Sequence, residues 1–145
     1  FTTGFDGVYS TLDKLGRSMP PQRADLAASL DELLVAVRVG SGLRFDAALG
    51  FDFYGTDVCL QAADRGLPCV VLDACCEHHS TTPRGGAMPR QLIERIGRNG
   101  ACFERKWAHR LPLSTSCFDI RQPGDVAAFL KAHTTPLEGN EPMRW

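Results

Sequence analysis

What this sequence lacks narrows it first. Neither sign of charge dominates: 16 lysines and arginines stand against 17 aspartates and glutamates, a formal net charge of -1. The chain therefore offers no whole-molecule field for a phosphate backbone, and nucleic acid is not an expected partner. No apolar run approaches the roughly 18 residues needed to span a bilayer. The longest, residues 67–76, is broken by Pro68 and Asp73. The six cysteines (Cys59, Cys69, Cys75, Cys76, Cys102 and Cys117) contain no C-x-x-C pair, which removes the main signal of a zinc ribbon or a thioredoxin-like site. There is no internal repeat and no basic-then-apolar leader, and the first residue is Phe1 rather than Met. A piece of a longer protein, or a processed product, is expected.

What remains is ordinary globular material. A chain of 145 residues, 43% hydrophobic and 23% charged, suits one domain with one sizeable core. Four of the cysteines fall in apolar periodic segments, where a thiol behaves as a small hydrophobe. Reduced thiols and a cytoplasmic setting are the expectation.

The patterning predicts an α/β class. Residues 1–30 are punctuated by glycine and proline, with room for a short helical turn only at 23–30. Residues 33–39 read L-L-V-A-V-R-V, apolar on both faces, the pattern of a strand covered on both sides. A loop rich in aromatics and acids follows, F-D-A-A-L-G-F-D-F-Y-G-T-D. A helix is expected from Thr56, as cap, to Gly66, with Asp57 in its first turn. Residues 67–72 predict a second buried strand, and residues 78–86 a polar loop. Residues 88–109 predict the longest helix, with Met88, Leu92, Ile96, Phe103 and Trp107 on one face and Arg90, Arg95, Arg98 and Arg105 elsewhere. Gly97 and Gly100 weaken its middle and predict a bend or break there. The expected layout is one α/β domain over residues 1–133, comprising an irregular lead-in (1–30), a core (31–118) and a terminal helix (123–133), followed by a tail (134–145).

Geometry then suggests a site. A helix of about 15 Å followed by a strand of about 20 Å returns the chain to the level where the helix began. Asp57 and the cluster Cys75-Cys76-Glu77-His78-His79 are thus expected on one rim, at the carboxyl end of a strand where ligands bind in open α/β sheets. The loop carrying Asp46 and Asp52 opens onto the same place. Carboxylates and an imidazole at one mouth suit a divalent cation or proton transfer. Each residue also has a plainer role. Asp57 suits any helix first turn, and Asp52 alternates away from Phe51 and Phe53 toward water. His78 and His79 cannot both face one way on an extended backbone. Phe103 and Trp107 fit a core, and Arg84, Arg90, Arg105 and Arg110 fit a solvated surface.

The order of these pieces resembles bacterial family 2-type glycosyltransferases: L-D-E-L-L-V-A-V-R, L-R-F-D, G-F-D-F-Y-G-T-D-V-C-L-Q-A, G-L-P-C-V-V-L-D-A, E-H-H-S and F-E-R-K-W-A-H-R-L-P, over residues 29–113. The resemblance implies a partial GT-A-like sandwich, a mostly parallel or mixed sheet flanked by helices. It implies that this chain is the acceptor-side half of an enzyme transferring a sugar from a nucleotide-sugar donor to a glycan or other hydroxyl acceptor, as in polysaccharide biosynthesis. Asp57 or Asp52 is then the catalytic carboxylate. His78 or His79 meets a divalent metal (Mn²⁺ or Mg²⁺), and Phe53, Tyr54 and Trp107 line the acceptor. Association with a donor-binding half is also implied, because no D-x-D occurs in the chain. Gly55 stands where the family often carries the first of two acids. That departure favours a second reading, a non-catalytic glycan- or partner-binding domain of the same descent. A small metal-binding protein built on Cys75, Cys76, His78 and His79 is a third, disfavoured because adjacent ligands on one strand rarely converge on a tetrahedral ion.

Overall fold

The computed structural model describes residues 8–9, 22–23, 25–30, 34–71, 87–115 and 117–137. In chain order these form β1 (Val8–Tyr9), β2 (Gln22–Arg23), β3 (Asp25–Leu26), α1 (Tyr54–Asp64), β4 (Val70–Val71), β5 (Ala87–Pro89), α2 (Arg90–Lys106), β6 (Leu113–Ser114), β7 (Asp119–Ile120), α3 (Asp125–His133) and β8 (Thr135–Leu137). Short 3-10 turns at Ala47–Leu49 and Ala108–Arg110 precede α1 and follow α2. The class is α/β. Among the described residues the strands pair two by two: β1 with β2, β3 with β4 and β6 with β7 antiparallel, and β5 with β8 parallel.

The core gathers around α2. Phe103 and Trp107 pack with Leu49, Leu60, Ile120, Val126 and Leu130, and Ile93 and Ile96 extend the same cluster. Of the stripe expected on the longest helix, Phe103 and Trp107 are buried and Ile96 packs against them half-buried, while Leu92 does not join the cluster. The start of α2 differs from the expectation: Met88 belongs to β5, and Pro89, with φ of -54°, precedes the first helical residue, Arg90. The tail differs as well. Residues 135–137 form a ladder, with Met88 opposite Pro136; residues 138–145 lie outside the described part.

No break occurs at Gly97 and Gly100: α2 runs unbroken through both. A Cβ on Gly100 would stand 2.3 Å from Val126 Cγ1, so the missing side chain is what lets α3 approach. The propensity cost of about 1 kcal/mol per glycine is offset by that close packing. Glu104, one turn further, is almost wholly buried. Its carboxylate accepts the backbone N–H groups of Gly124 and Val126, both at 2.8 Å, capping α3 from a neighbouring helix and neutralising the positive end of its dipole.

Helix α1 begins two residues before the expected cap. Phe53, at φ 63°, adopts the left-handed conformation in front of it. That conformation is unusual for an aromatic residue, and the Phe53 ring is held stacked on Phe103 with centroids 5.2 Å apart. Thr56 therefore lies inside the helix, and its hydroxyl meets that of Ser29 at 2.8 Å. The helix ends before Gly66, at φ 65°, as its sequence predicts.

Two strand expectations change. Residues 34–38 join no ladder among the described residues, and residues 39–40 form a turn. Leu34, Ala36 and Arg38 are exposed, Val35 and Val37 are half-buried, and Val39 is 97% exposed. A strand covered on both faces needs a layer on each side, and the described residues supply only α1 and residues 67–70 on one side. The apolar run at 67–72 yields only the two-residue β4, paired with β3, and Val71 is 49% exposed. Residues 22–23 and 25–26 are strand rather than the helical turn expected there.

Candidate functional site

The loop between residue 43 and α1 is fastened to α2 at two carboxylates. Helix α2 presents Arg95, Asn99 and Lys106 at intervals of four and seven residues, which places them along one face. Arg95 grips Asp52 with two parallel bonds, Nε to Oδ2 and Nη2 to Oδ1, each 3.1 Å. Asn99 Nδ2 donates to the same Oδ2 at 2.6 Å. Gly50, at φ 59°, lets the loop pass close to Asn99, where a Cβ would meet Nδ2 at 3.1 Å. The Asp52 side chain keeps 13% of its surface exposed, so one edge of this pair meets solvent.

Asp57 is different. It is fully buried in the first turn of α1. Its Oδ1 accepts from the Trp107 indole Nε1–H at 2.8 Å and pairs with Lys106 Nζ at 2.7 Å. Its Oδ2 accepts from Gln61 Nε2 at 2.7 Å. Lys106 also reaches Asp46 Oδ2 at 2.7 Å, so one ammonium bridges two carboxylates. Burial alone would lower the Lys106 pKa, but the hydrogen bonds it donates to Asp46 and then to Asp57 raise it above its ordinary value. Asp46 is held below the usual carboxylate range by that Lys106 bond and by the Ala48 N–H, which its Oδ1 accepts at 2.9 Å to cap the 3-10 turn. Asp57 is the fully buried end of this network, and removing its cation from the partly exposed side is costly.

Beside Asp52 lies an aromatic surface. Phe51 is 65% exposed and Phe45 55% exposed. Both rings meet the half-buried Tyr54 edge-on, with centroids 6.0 and 5.7 Å away. The Arg95 guanidinium sits 5.8 Å from the Phe51 ring centre, joining the aromatic patch to the Asp52 pair.

The residues expected at one mouth are therefore distributed. Asp52 and Tyr54 share this surface. Phe53 is turned onto Phe103, and Trp107 is buried with its indole N–H on Asp57. His78, His79, Cys75 and Cys76 lie outside the described residues, as does Arg84. Among the described residues no group of three or more His, Cys, Asp or Glu side chains is placed to hold a metal ion. The gap between Asp46 and Asp57 is filled by Lys106 instead. Cys59, Cys69, Cys102 and Cys117 are free thiols.

Sequence reasoning missed Lys106, Arg95, Asn99 and Gln61. A signal for them existed: the common helical face of the first three, and the four-residue step from Asp57 to Gln61 along α1. Among the described residues no helix is long and apolar enough to cross a membrane. Comparison with protein-family models gives no match, and comparisons with curated proteins and with solved structures give none either.

Proposed function

We propose that the chain is the acceptor-side segment of a glycosyltransferase, in which the surface formed by Phe45, Phe51 and Tyr54 beside Asp52 receives a glycan. The observation that carries this reading is the pairing of exposed aromatic rings with a fixed carboxylate at their edge. A pyranose presents a face of C–H bonds, which an aromatic ring shields from water, and a rim of hydroxyls, which need directed donors and acceptors. Asp52 supplies the acceptor atoms, and Arg95 and Asn99 hold them in place. Asp52 is also the carboxylate nearer solvent, and so the better placed of the two candidates to assist an acceptor hydroxyl. A nucleotide-sugar donor, a donor-binding half, a GT-A-like arrangement, and Mn²⁺ or Mg²⁺ held by His78 or His79 complete the reading.

The second reading, glycan binding without transfer, is favoured by Gly55 at the position of the first family acid and by the full engagement of the Asp57 carboxylate. One pair of experiments separates them. Ligand-observed NMR of the chain with a panel of oligosaccharides reports binding, and transfer from nucleotide-sugars is assayed with and without an added donor-binding domain and Mn²⁺. Binding lost in Phe51→Ala supports the shared surface. Transfer lost in Asp52→Asn with binding retained supports catalysis, and binding with no transfer under any condition supports the second reading. Absence of all glycan binding overturns both.

A further inference from the structure

The turn between α1 and β4 brings two cysteines together. Leu67 N–H donates to the Ala62 carbonyl at 2.9 Å, which sends the chain back along α1. The returning segment is then held by β3: Leu26 pairs with Val70, and the Ala27 N–H donates to the Cys69 carbonyl at 3.0 Å. Cys59 stands one turn before Ala62 on the helix that this segment passes. Both cysteines line one cleft of about 720 Å³, with Val58, Ala62 and Val70 beside them. Their thiols are in hydrogen-bonding contact, and the Leu30 N–H donates to the Cys59 sulfur. Each cysteine is carried by a hydrogen-bonded element, Cys59 inside α1 and Cys69 at the end of a ladder, so the fold itself sets the pair.

The two sulfurs differ in access. Cys59 is 2% exposed, whereas Cys69 is half-buried on the cleft wall. A small oxidant entering the cleft meets Cys69 first. Burial pushes the Cys59 thiol up to about 12, so it is not the sulfur that attacks first at neutral pH.

We propose that Cys59 and Cys69 are an oxidative modification site, a pair that hydrogen peroxide converts to a disulfide joining α1 to the segment entering β4. The Cys69 sulfur attacks one peroxide oxygen, the O–O bond breaks, and the departing hydroxide leaves as water with the Cys69 proton. The Cys59 sulfur then attacks the sulfur of the Cys69 sulfenic acid. The S–O bond breaks, and the hydroxyl leaves as water with the Cys59 proton. The pair loses two protons and two electrons, and the peroxide is reduced to two waters. Because the resolving sulfur is already in contact, closure outruns further oxidation of Cys69. The site shares no residue with the aromatic patch and does not depend on glycan binding.

The test treats the whole chain with a small excess of hydrogen peroxide at neutral pH, alkylates the remaining thiols in denaturant and maps the tryptic peptides by mass spectrometry. Cleavage after Arg44, Arg65 and Arg84 separates Cys59 from Cys69, and fragment ions distinguish Cys69 from Cys75 and Cys76. A peptide pair linked through Cys59 and Cys69 is expected, removed by dithiothreitol and about tenfold more abundant from the native chain than from the chain unfolded in urea. Cys69→Ser should leave Cys59 reduced, and Cys59→Ser should let Cys69 advance to the sulfinic acid. Sulfinic acid at Cys69 of the unsubstituted chain, with Cys59 still alkylated, would overturn the proposal, because the two sulfurs then fail to meet. So would a bridge from Cys69 to Cys75 or Cys76, or equal yields of the Cys59–Cys69 bridge from native and unfolded chains. Alkylation of both thiols at a peroxide dose that oxidises the exposed Cys117 would overturn it as well.

Discussion

Asp52 and Asp57 stand five residues apart, and both belong to the same stretch of apparent chemistry. One ends on a rim, gripped by Arg95 and Asn99 with an edge toward solvent and exposed aromatic rings beside it. The other is sealed, with Lys106, Trp107 and Gln61 around it. A carboxylate in water costs little to hold and is open to a ligand, whereas a buried one must be neutralised in place and serves the fold. Under the proposed function, binding falls to the loop before α1, while the first turn of α1 serves the fold.

Breaking the sealed side should have the largest effect. Lys106→Met leaves Asp57 as an uncompensated buried charge and should cost about 3–5 kcal/mol, read by urea unfolding. A loss under about 1 kcal/mol would erase the distinction between the two sites. Gly100→Ala, which drives a methyl group into Val126, should destabilise by about 1–3 kcal/mol although alanine favours helices. Val126→Ala should recover part of that loss in the double variant, which ties the sealed core to α3. Arg95→Ala, on the rim, should cost only about 1 kcal/mol because both partners are partly solvated. Phe51→Ala should leave stability within about 0.5 kcal/mol of the parent while weakening glycan binding.

The pH dependence should sharpen the same contrast. Lys106 is raised above its ordinary 10.5, so its contribution is complete below that value and is lost as pH rises through the folded value. Burial pushes the Cys59 thiol up from 9.0 to about 12, so the unfolded chain ionises first and stability falls above pH 9. Asp46 is lowered by Lys106, and Asp125 by the N–H groups of Arg121 and Gln122. Their contributions hold above 3.8 and fade as pH drops through the lowered folded values. Thermal unfolding across pH should therefore show a plateau bounded by an acid and an alkaline decline. Lys106→Met should flatten part of the alkaline limb.

The helices were the most legible elements. Phe103 and Trp107 in the stripe, the Gly66 stop and the terminal helix α3 follow from local spacing. The strands were less so. A two-sided apolar run such as residues 33–39 states what it requires, not whether the chain around it provides a partner. The sealing of Asp57 was not legible either, since Trp107 lies 50 residues away and only the packed fold brings it near. The glycines of α2 misled for a related reason: propensity counts the cost to the helix, while the benefit lies in how closely α3 approaches.

The most direct test is a glycan titration followed through the aromatic ring protons of the chain. The account predicts saturable shifts at Phe45, Phe51 and Tyr54, with the Trp107 indole N–H unmoved in its bond to Asp57. Shifts centred on Trp107 with the three exposed rings silent would contradict it.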